Sequence, residues 1–454
     1  MKSLQILRYT VVLLAFILFM ISAESRDKDK KSTDRLGKVN AINPAQTLIN
    51  INNLTCWVTG TGFHDWIIAS SYNGTFPKGT AGFIYSEGIL WGGQVSDGQV
   101  QVVRVNGNTY SSGTRAGKIL TDAAGNVTGR EPDDPVSNRP YRVRPDYKIA
   151  DLTDDAANFY QVTFDKVTDA QRSDIREQYE IDWNNWPWQK GAPFKDNNNN
   201  NTYEPNVDIP GIPGADQTIW IVYNDLDVGR SASTYGSLPI GLEVQESYWA
   251  YAATNPLGNV VFKKVKLIYK GTTITPAIAR IDSMYIVQWS DPDLGQYTDD
   301  FAGCDTTLSL GYVYNSSSID AVYFNDYGLA PPAGGYDFLQ GVMVPGAPTD
   351  SALFDFQWRK GFKNLPMTVF TFFAAGSPRS DPDRGGPYDG TLQWYNLMTG
   401  FEPRPKYPER VPLRDHNGNI TKFELTGDPT TGTGDLDGKP TAANPRRFPP
   451  GDRR

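Results

Sequence analysis

Between Asp196 and Asp227 the chain reads D-N-N-N-N-N-T-Y-E-P-N-V-D-I-P-G-I-P-G-A-D-Q-T-I-W-I-V-Y-N-D-L-D. Oxygen-bearing side chains lead into a Pro/Gly turn, an apolar strand follows, and an acidic turn closes the stretch. Thr218 to Tyr223 is apolar at both strand parities, which suits a central strand covered on both faces. The fold must therefore contain a sheet buried on two sides, entered through an oxygen-rich loop.

The same grammar runs through the chain. Aromatic residues make up 12%, and 43 Gly and 32 Pro punctuate them, a mixture that favours short strands between turns over long helices. Strand candidates are Thr55–Val58, Phe83–Tyr85, Ile89–Trp91, Val244–Tyr251, Val260–Tyr269, Ile281–Trp289, Asp355–Trp358 and Met367–Phe373. Within 281–289, Ile281, Ser283, Tyr285, Val287 and Trp289 share one face by alternation. Asn106-Gly107 between Val102–Val105 and Asn108–Tyr110 reads as a hairpin turn, and Ala124-Gly125-Asn126 as another. Thr168 and Gln171 form a capping box with Val167 at the staple position, so a helix is expected over 168–186, ended by Pro187. Thr391–Met398 before Gly400 reads as a second, short helix.

The expected fold is mainly β: an antiparallel β-sandwich with a smaller N-terminal β unit and one or two short helices. At ~150 residues per domain, 454 residues allow roughly three domains or two large β ones. The divisions expected are a signal peptide over 1–25, a linker over 26–50 and a small β domain over 51–148. A β-sandwich domain over 149–425 and a flexible tail over 426–454 complete the chain. Lys2 and Arg8 precede an apolar run, Tyr9–Ile21, too short for a comfortable membrane span, and Ala23-Glu24-Ser25 offers small residues for cleavage. Export is the expectation, with no membrane span after cleavage; an uncleaved anchor is the alternative. Net charge is −8, which disfavours nucleic acid as a partner. Cys56 and Cys304 either pair or stay as buried free thiols; sequence allows both.

Two oxygen-rich clusters are candidate calcium sites, because calcium takes six to eight hard oxygens at flexible distances. The first is Asp196, Asn198, Asn200 and Thr202, closed by Asp208, within the loop 196–208. It departs from the EF-hand pattern: Asn201 stands where Gly is usual, Val207 where the bidentate Glu is, and no helix follows. The second is Asp291, Asp293, Asp299 and Asp300, with Asp305 completing five carboxylates in fifteen residues; Asp225 and Asp227 stand as neighbours to it. Such a cluster repels itself unless it is solvated or neutralised. Each loop is otherwise simply a solvated one. Trp183, Trp186 and Trp188 are either a sugar-stacking platform or helix-to-sheet packing. Glu243 with Glu246, or Glu87 with an acidic loop, are the carboxylate pairs a glycosidase would use. His64 and His416 are the only histidines, and neither H-E-x-x-H nor G-x-S-x-G occurs.

Several long runs carry a resemblance: I-Y-S-E-G-I-L-W-G-G (Ile84–Gly93), D-Q-T-I-W-I-V-Y-N-D (Asp216–Asp225), W-S-D-P-D-L-G and D-D-F-A-G-C-D-T-T-L-S-L-G-Y-V-Y-N between Trp289 and Asn315, F-E-L-T-G-D-P-T-T-G-T-G (Phe423–Gly434), and P-P-G-D-R-R (Pro449–Arg454). The chain resembles large secreted, cell-surface proteins of Bacteroidetes-like bacteria that end in a type IX secretion sorting domain. The resemblance implies export and a β-sandwich build, and no particular activity. In similar proteins P-P-G-D-R-R is followed by further strands, fibronectin-like domains and the sorting tail, so the resemblance implies a truncated chain.

Three functions follow as expectations. The first is a secreted, calcium-stabilised β-sandwich with a surface binding or structural role, its partners extracellular polysaccharide or other surface proteins. The second is an extracellular polysaccharide hydrolase, and the third a subunit of an extracellular fibre.

Overall fold

Strand β8 (Gln217–Asn224) is buried along its whole length, as its double-faced apolar pattern requires. The computed structural model that places it describes residues 45–66, 73–374, 379–385, 387–439 and 449–454. The signal segment 1–25 and most of the 26–50 linker lie outside the described residues. Among the described residues strand makes up 33% and helix 16%, a mainly β protein.

The back sheet has the order β7 (Tyr141–Val143), β8, β9 (Leu242–Ala250) and β10 (Val261–Tyr269), with β6 (Arg115–Ala116) also paired to β8. Every pairing in it is antiparallel. The front sheet joins β3 (Phe63–His64), β4 (Ser86–Ser96), β5 (Val103–Gly107) and β11 (Arg280–Asp291), again antiparallel. Alternation then decides what fills the space between them. Ile219, Ile221 and Tyr223 of β8 and Leu242, Val244 and Tyr248 of β9 meet Ile89, Trp91 and Val95 of β4 in one core. Ile49, Cys56 and Val58, from strands β1 (Gln46–Ile49) and β2 (Cys56–Thr59), close its side.

Each sheet is also covered outside. Helix α3 (Tyr388–Met398) lays Trp394, Tyr395, Leu397 and Met398 on Leu90, Val103, Val105 and Trp289 of the front sheet. Gly400, at φ +85°, follows it as the turn residue. On the back sheet Trp186, Ala192 and Tyr203 pack on Trp220, Val222 and Val143. The tryptophans of 183–188 are thus used in packing, with Trp186 Nε1 donating to Pro193 O at 2.8 Å. Helices α1 (Thr153–Tyr160) and α2 (Asp169–Asn184) stack on Leu48 and Trp57. The Thr168–Gln171 capping box is formed in full at the start of α2.

Five details differ from expectation, each for a local reason. Residues 51–148 are not a separate unit: β4 pairs with β11 from Arg280↔Ser96 to Asp291↔Ser86, and both sheets draw on the two halves of the chain. Asn106-Gly107 lies inside β5, where Gly107 has φ +123° and the Asn106 amide donates to Ser231 Oγ at 2.8 Å. Strand β11 carries a bulge between Asp282 and Tyr285, with Ser283 at φ +48°. The extra residue flips the alternation, so Ile281, Met284 and Ile286 face the inter-sheet core while Tyr285, Val287 and Trp289 face α3. Asp355-Phe356 is the turn between strands Ser351–Phe354 and Gln357–Lys360, and 367–373 makes only an isolated bridge at Phe370.

The fifth concerns the tail. Among the described residues of 426–454, Asp435, Asp437, Asp452 and Arg453 are buried. Arg453 Nε donates to Asp437 Oδ2 at 2.7 Å, and Asp437 Oδ2 also accepts from Ala302 N at 2.9 Å. Gly451 N reaches Asp300 O, and Phe373 N reaches Arg454 O. Charge pairing holds this segment in place, so no apolar period announces it.

Candidate metal centre and a buried polar layer

Strand β11 ends at Asp291, whose Cα partner on β4 is Ser86. Pro292 turns the chain, and Asp293 follows two residues on. The docked terminal segment brings Asp452 to the same point. One carboxylate oxygen from each of Asp291, Asp293 and Asp452 lies within 4.8 Å of the others, and all three residues are buried. Tyr110 donates its hydroxyl to Asp291 Oδ2 at 2.6 Å. The Arg454 guanidinium bonds Asp452 at 3.0 and 2.8 Å, stands 3.8 Å from Asp291 Oδ1, and also pairs with Asp381. One guanidinium thus serves several carboxylates. Burial, with Asp293 and Asp452 adding to it, pushes the Asp291 carboxyl well above its ordinary range, against the pull of Arg454 and Tyr110.

Of the expected second cluster, Asp291 and Asp293 meet here. Asp300 stands beside them: its Oδ2 accepts from Leu294 N at 3.0 Å, and burial raises its carboxyl to about 9, with Asp293 adding to the rise. Asp299 faces Asp320 instead, and burial with that neighbour raises it. Asp305 is spent on Thr307. Asp225 accepts backbone N–H groups from Ile240, Gly241 and Leu242 at 2.8–3.0 Å. Asp227 caps the helix Val228–Tyr235 and pairs with Arg115 at 2.7 Å. Asp452 is the carboxylate of this cluster that sequence reasoning missed, and D-R-R against distant acids is the signal it left.

The 196–208 loop brings its residues together in a different way. Asp196 accepts from Asn200 N and Asn201 N at 3.3 and 2.7 Å, and Asn200 Oδ1 accepts from Thr202 N at 2.7 Å. The Asn198 and Asn200 amides both donate to Glu204 Oε2, at 2.6 and 2.7 Å. Asp208 accepts from Asn197 N and Glu204 N at 2.9 and 2.8 Å. Positive φ at Asn199 and Asn201, 59° each, lets the loop curl on itself. Asp196, Asn198, Asn200 and Asp208 each accept a backbone N–H of the loop itself, and Thr202 enters through its own N–H.

A second constellation lies between the sheets. Parity points Glu246 (flanked by Val244 and Tyr248), Lys263, Glu87 and Gln288 into the inter-sheet space. His64 Nε2 donates to Glu246 Oε2 at 2.9 Å, and Tyr223 donates to Glu246 Oε1 at 2.8 Å. Tyr248 and Lys263 each donate to Glu87 Oε1 at 3.2 Å, and Lys263 also reaches Gln288 Oε1 at 3.0 Å. Burial alone would push Glu246 up; Lys263, His64 and Tyr223 together outweigh it and hold that carboxyl below its usual range. Asp65, at φ +65°, accepts from Trp57 N at 2.8 Å, and burial and Glu87 raise it well above the ordinary value. The candidate pair Glu243 and Glu246 does not meet. Odd spacing sends Glu243 to the other face of β9, where Lys270 Nζ donates to it at 2.6 Å. Cys56 and Cys304 are buried free thiols.

Comparison of the chain with protein-family models, with curated proteins and with solved structures finds no match in any of the three.

Proposed function

We propose that this is an exported β-sandwich protein with a structural or surface-binding role, in which a divalent cation ties the terminal segment to the end of β11. The observation that supports this most is the convergence of Asp291, Asp293 and Asp452 within 4.8 Å, all buried. Buried carboxylates sharing one site cannot all stay charged without a counter-charge. Among the described residues, the Arg454 guanidinium is shared among Asp291, Asp452 and Asp381. The donors are all hard oxygens, which suits calcium better than a transition metal. The charged n-region and apolar core of 1–25 support export, and extracellular polysaccharide or other surface proteins are the partners proposed.

The test is thermal unfolding of the full chain with calcium and with chelator. A ligand at 100 times its dissociation constant adds about 2.7 kcal/mol to stability. Calcium should raise the melting temperature of the native chain, and Asp293→Asn should abolish the rise. Asp196→Asn should leave it intact. Identical melting in calcium and chelator would remove the cation from the reading. A rise lost in Asp196→Asn alone would move it to the 196–208 loop.

A further inference from the structure

A cleft of about 490 Å³ opens beside the front sheet, between the end of β4, the β11 bulge and the chain that follows α3. Small-molecule sites occupy roughly 300–1,000 Å³. Its chemistry comes from Tyr285, Tyr395, Tyr407, Arg410, Lys422 and Gln94. Tyr395 is buried and meets Tyr285 at 6.4 Å and Tyr407 at 5.3 Å, both edge to face. Its hydroxyl accepts from Gln94 Nε2 at 3.4 Å and donates to Ser283 O at 3.3 Å. The bulge that reverses β11 is therefore what delivers Tyr285 to the cleft.

Two cations line the same cleft. The Arg410 guanidinium lies 4.7 Å over Phe401 and 5.0 Å over Tyr407, and remains exposed. Lys422 is exposed too, and its stem runs along Gly400, where an added Cβ would come within 3.0 Å of Lys422 Cγ. Among the described residues no carboxylate lines the cleft, and neither cation forms an ion pair. In a chain of net charge −8 this local excess of positive charge selects an anion. Arginine stacked on a ring keeps its donor fork flat and pre-aimed for a planar acid group. Half-buried tyrosines beside it supply an amphipathic face at low entropic cost.

We propose that this cleft binds an anionic glycan, with sugar rings against Tyr285 and Tyr407 and the acid group on Arg410 and Lys422. The site is separate from the cation clamp at Asp291 and does not depend on it.

Calorimetric titration of the full chain in chelator, which removes calcium bridging, tests this. The probes are a tri-galacturonate, a chondroitin sulfate tetrasaccharide and a neutral malto-oligosaccharide. At least one acidic probe should bind saturably, at least tenfold more tightly than the neutral one, and weaken as salt is raised. A carboxylate acid group is assigned if tri-galacturonate is the tighter, a sulfate if the other is. Arg410→Gln and Tyr407→Ala should each weaken binding about tenfold or more. Arg280→Gln, an exposed cation outside the cleft, should leave it unchanged. Absence of saturable acidic binding overturns the proposal. So does equal binding of the neutral probe, or unchanged affinity in a folded Arg410→Gln variant.

Discussion

His64 Nε2 and Glu246 Oε2 stand 2.9 Å apart, on strands of opposite sheets, with both side chains closed off from solvent. A hydrogen-bonded pair at this depth joins the two layers directionally, where the surrounding apolar contacts of the core do not. Removing one partner of a buried pair leaves the other uncompensated, at a cost of about 3–5 kcal/mol. Glu246→Ala strips His64 and Tyr223 of an acceptor and should reach that range in urea unfolding. His64→Leu combined with Glu246→Leu should cost clearly less than the two single changes summed. Strict additivity in that cycle would show that the contact carries no coupling.

The terminal segment gives a second prediction. Arg453 is 2% exposed at its side chain and Asp437 is fully buried, joined at 2.7 Å. Arg453→Met should therefore destabilise by about 3–5 kcal/mol, through the carboxylate it abandons. Arg280→Ala removes an ion pair that is exposed on both sides, and should change stability by less than about 0.5 kcal/mol. Equal denaturation midpoints for the two variants would show that the segment 449–454 contributes little to the folded state.

How far the residues alone foretell this molecule depends on the range of the forces involved. The capping box at Thr168, the apolar face of Ile175 and Tyr179, and the two-faced strand at 218–223 are written in neighbouring residues, and all appear as read. The reversal of β11 was not legible, because Ser283 at φ +48° breaks an alternation that looks unbroken on paper. Asp452 was not legible either, since its meeting with Asp291 spans 161 residues and leaves no local period. The turns were legible in part. Asp122 accepts from Ala124 N and Asn126 N at 2.9 Å each, and Asp415 accepts from Asn417 N and Asn419 N at 2.9 and 2.8 Å. D-x-x-G-N builds the same turn in both places. The apolar residues tell which sheets form, and long-range charge pairing decides how the ends are fastened.

Gly107 separates a turn glycine from a packing one. Its φ is +123°, and an added Cβ would sit 2.1 Å from Ile89 O, inside β4. Gly125, in a hairpin tip at φ +88°, meets nothing within 4 Å. Gly125→Ala should cost only the strained conformation, about 1–3 kcal/mol. Gly107→Ala must also part β4 from β5, and should lower the denaturation midpoint well beyond that. Similar midpoints for the two would return Asn106-Gly107 to the role of an open turn.

Asp300 makes the charge state of the β11 end measurable. Burial raises its carboxyl to about 9, against about 3.9 in an unfolded chain, so the folded state holds the proton more tightly. That contribution is complete below the unfolded value and is lost as pH rises toward about 9. Asp291 shifts in the same direction, through burial, Asp293 and Asp452. Glu246 shifts downward, and its contribution is lost only as pH falls below the ordinary carboxylate range. Between pH 5.5 and 8, chelated protein should therefore lose stability as pH rises, by at most about 1.4 kcal/mol per pH unit for each such group. Asp300→Asn should flatten the slope. Calcium binds only the deprotonated carboxylates, so the gap between calcium and chelator should widen over the same interval. A chelated protein whose stability rises steadily from pH 5.5 to 8 would mean that these carboxyls are already charged and compensated within the fold, and the proposal of a cation at Asp291 would go with it.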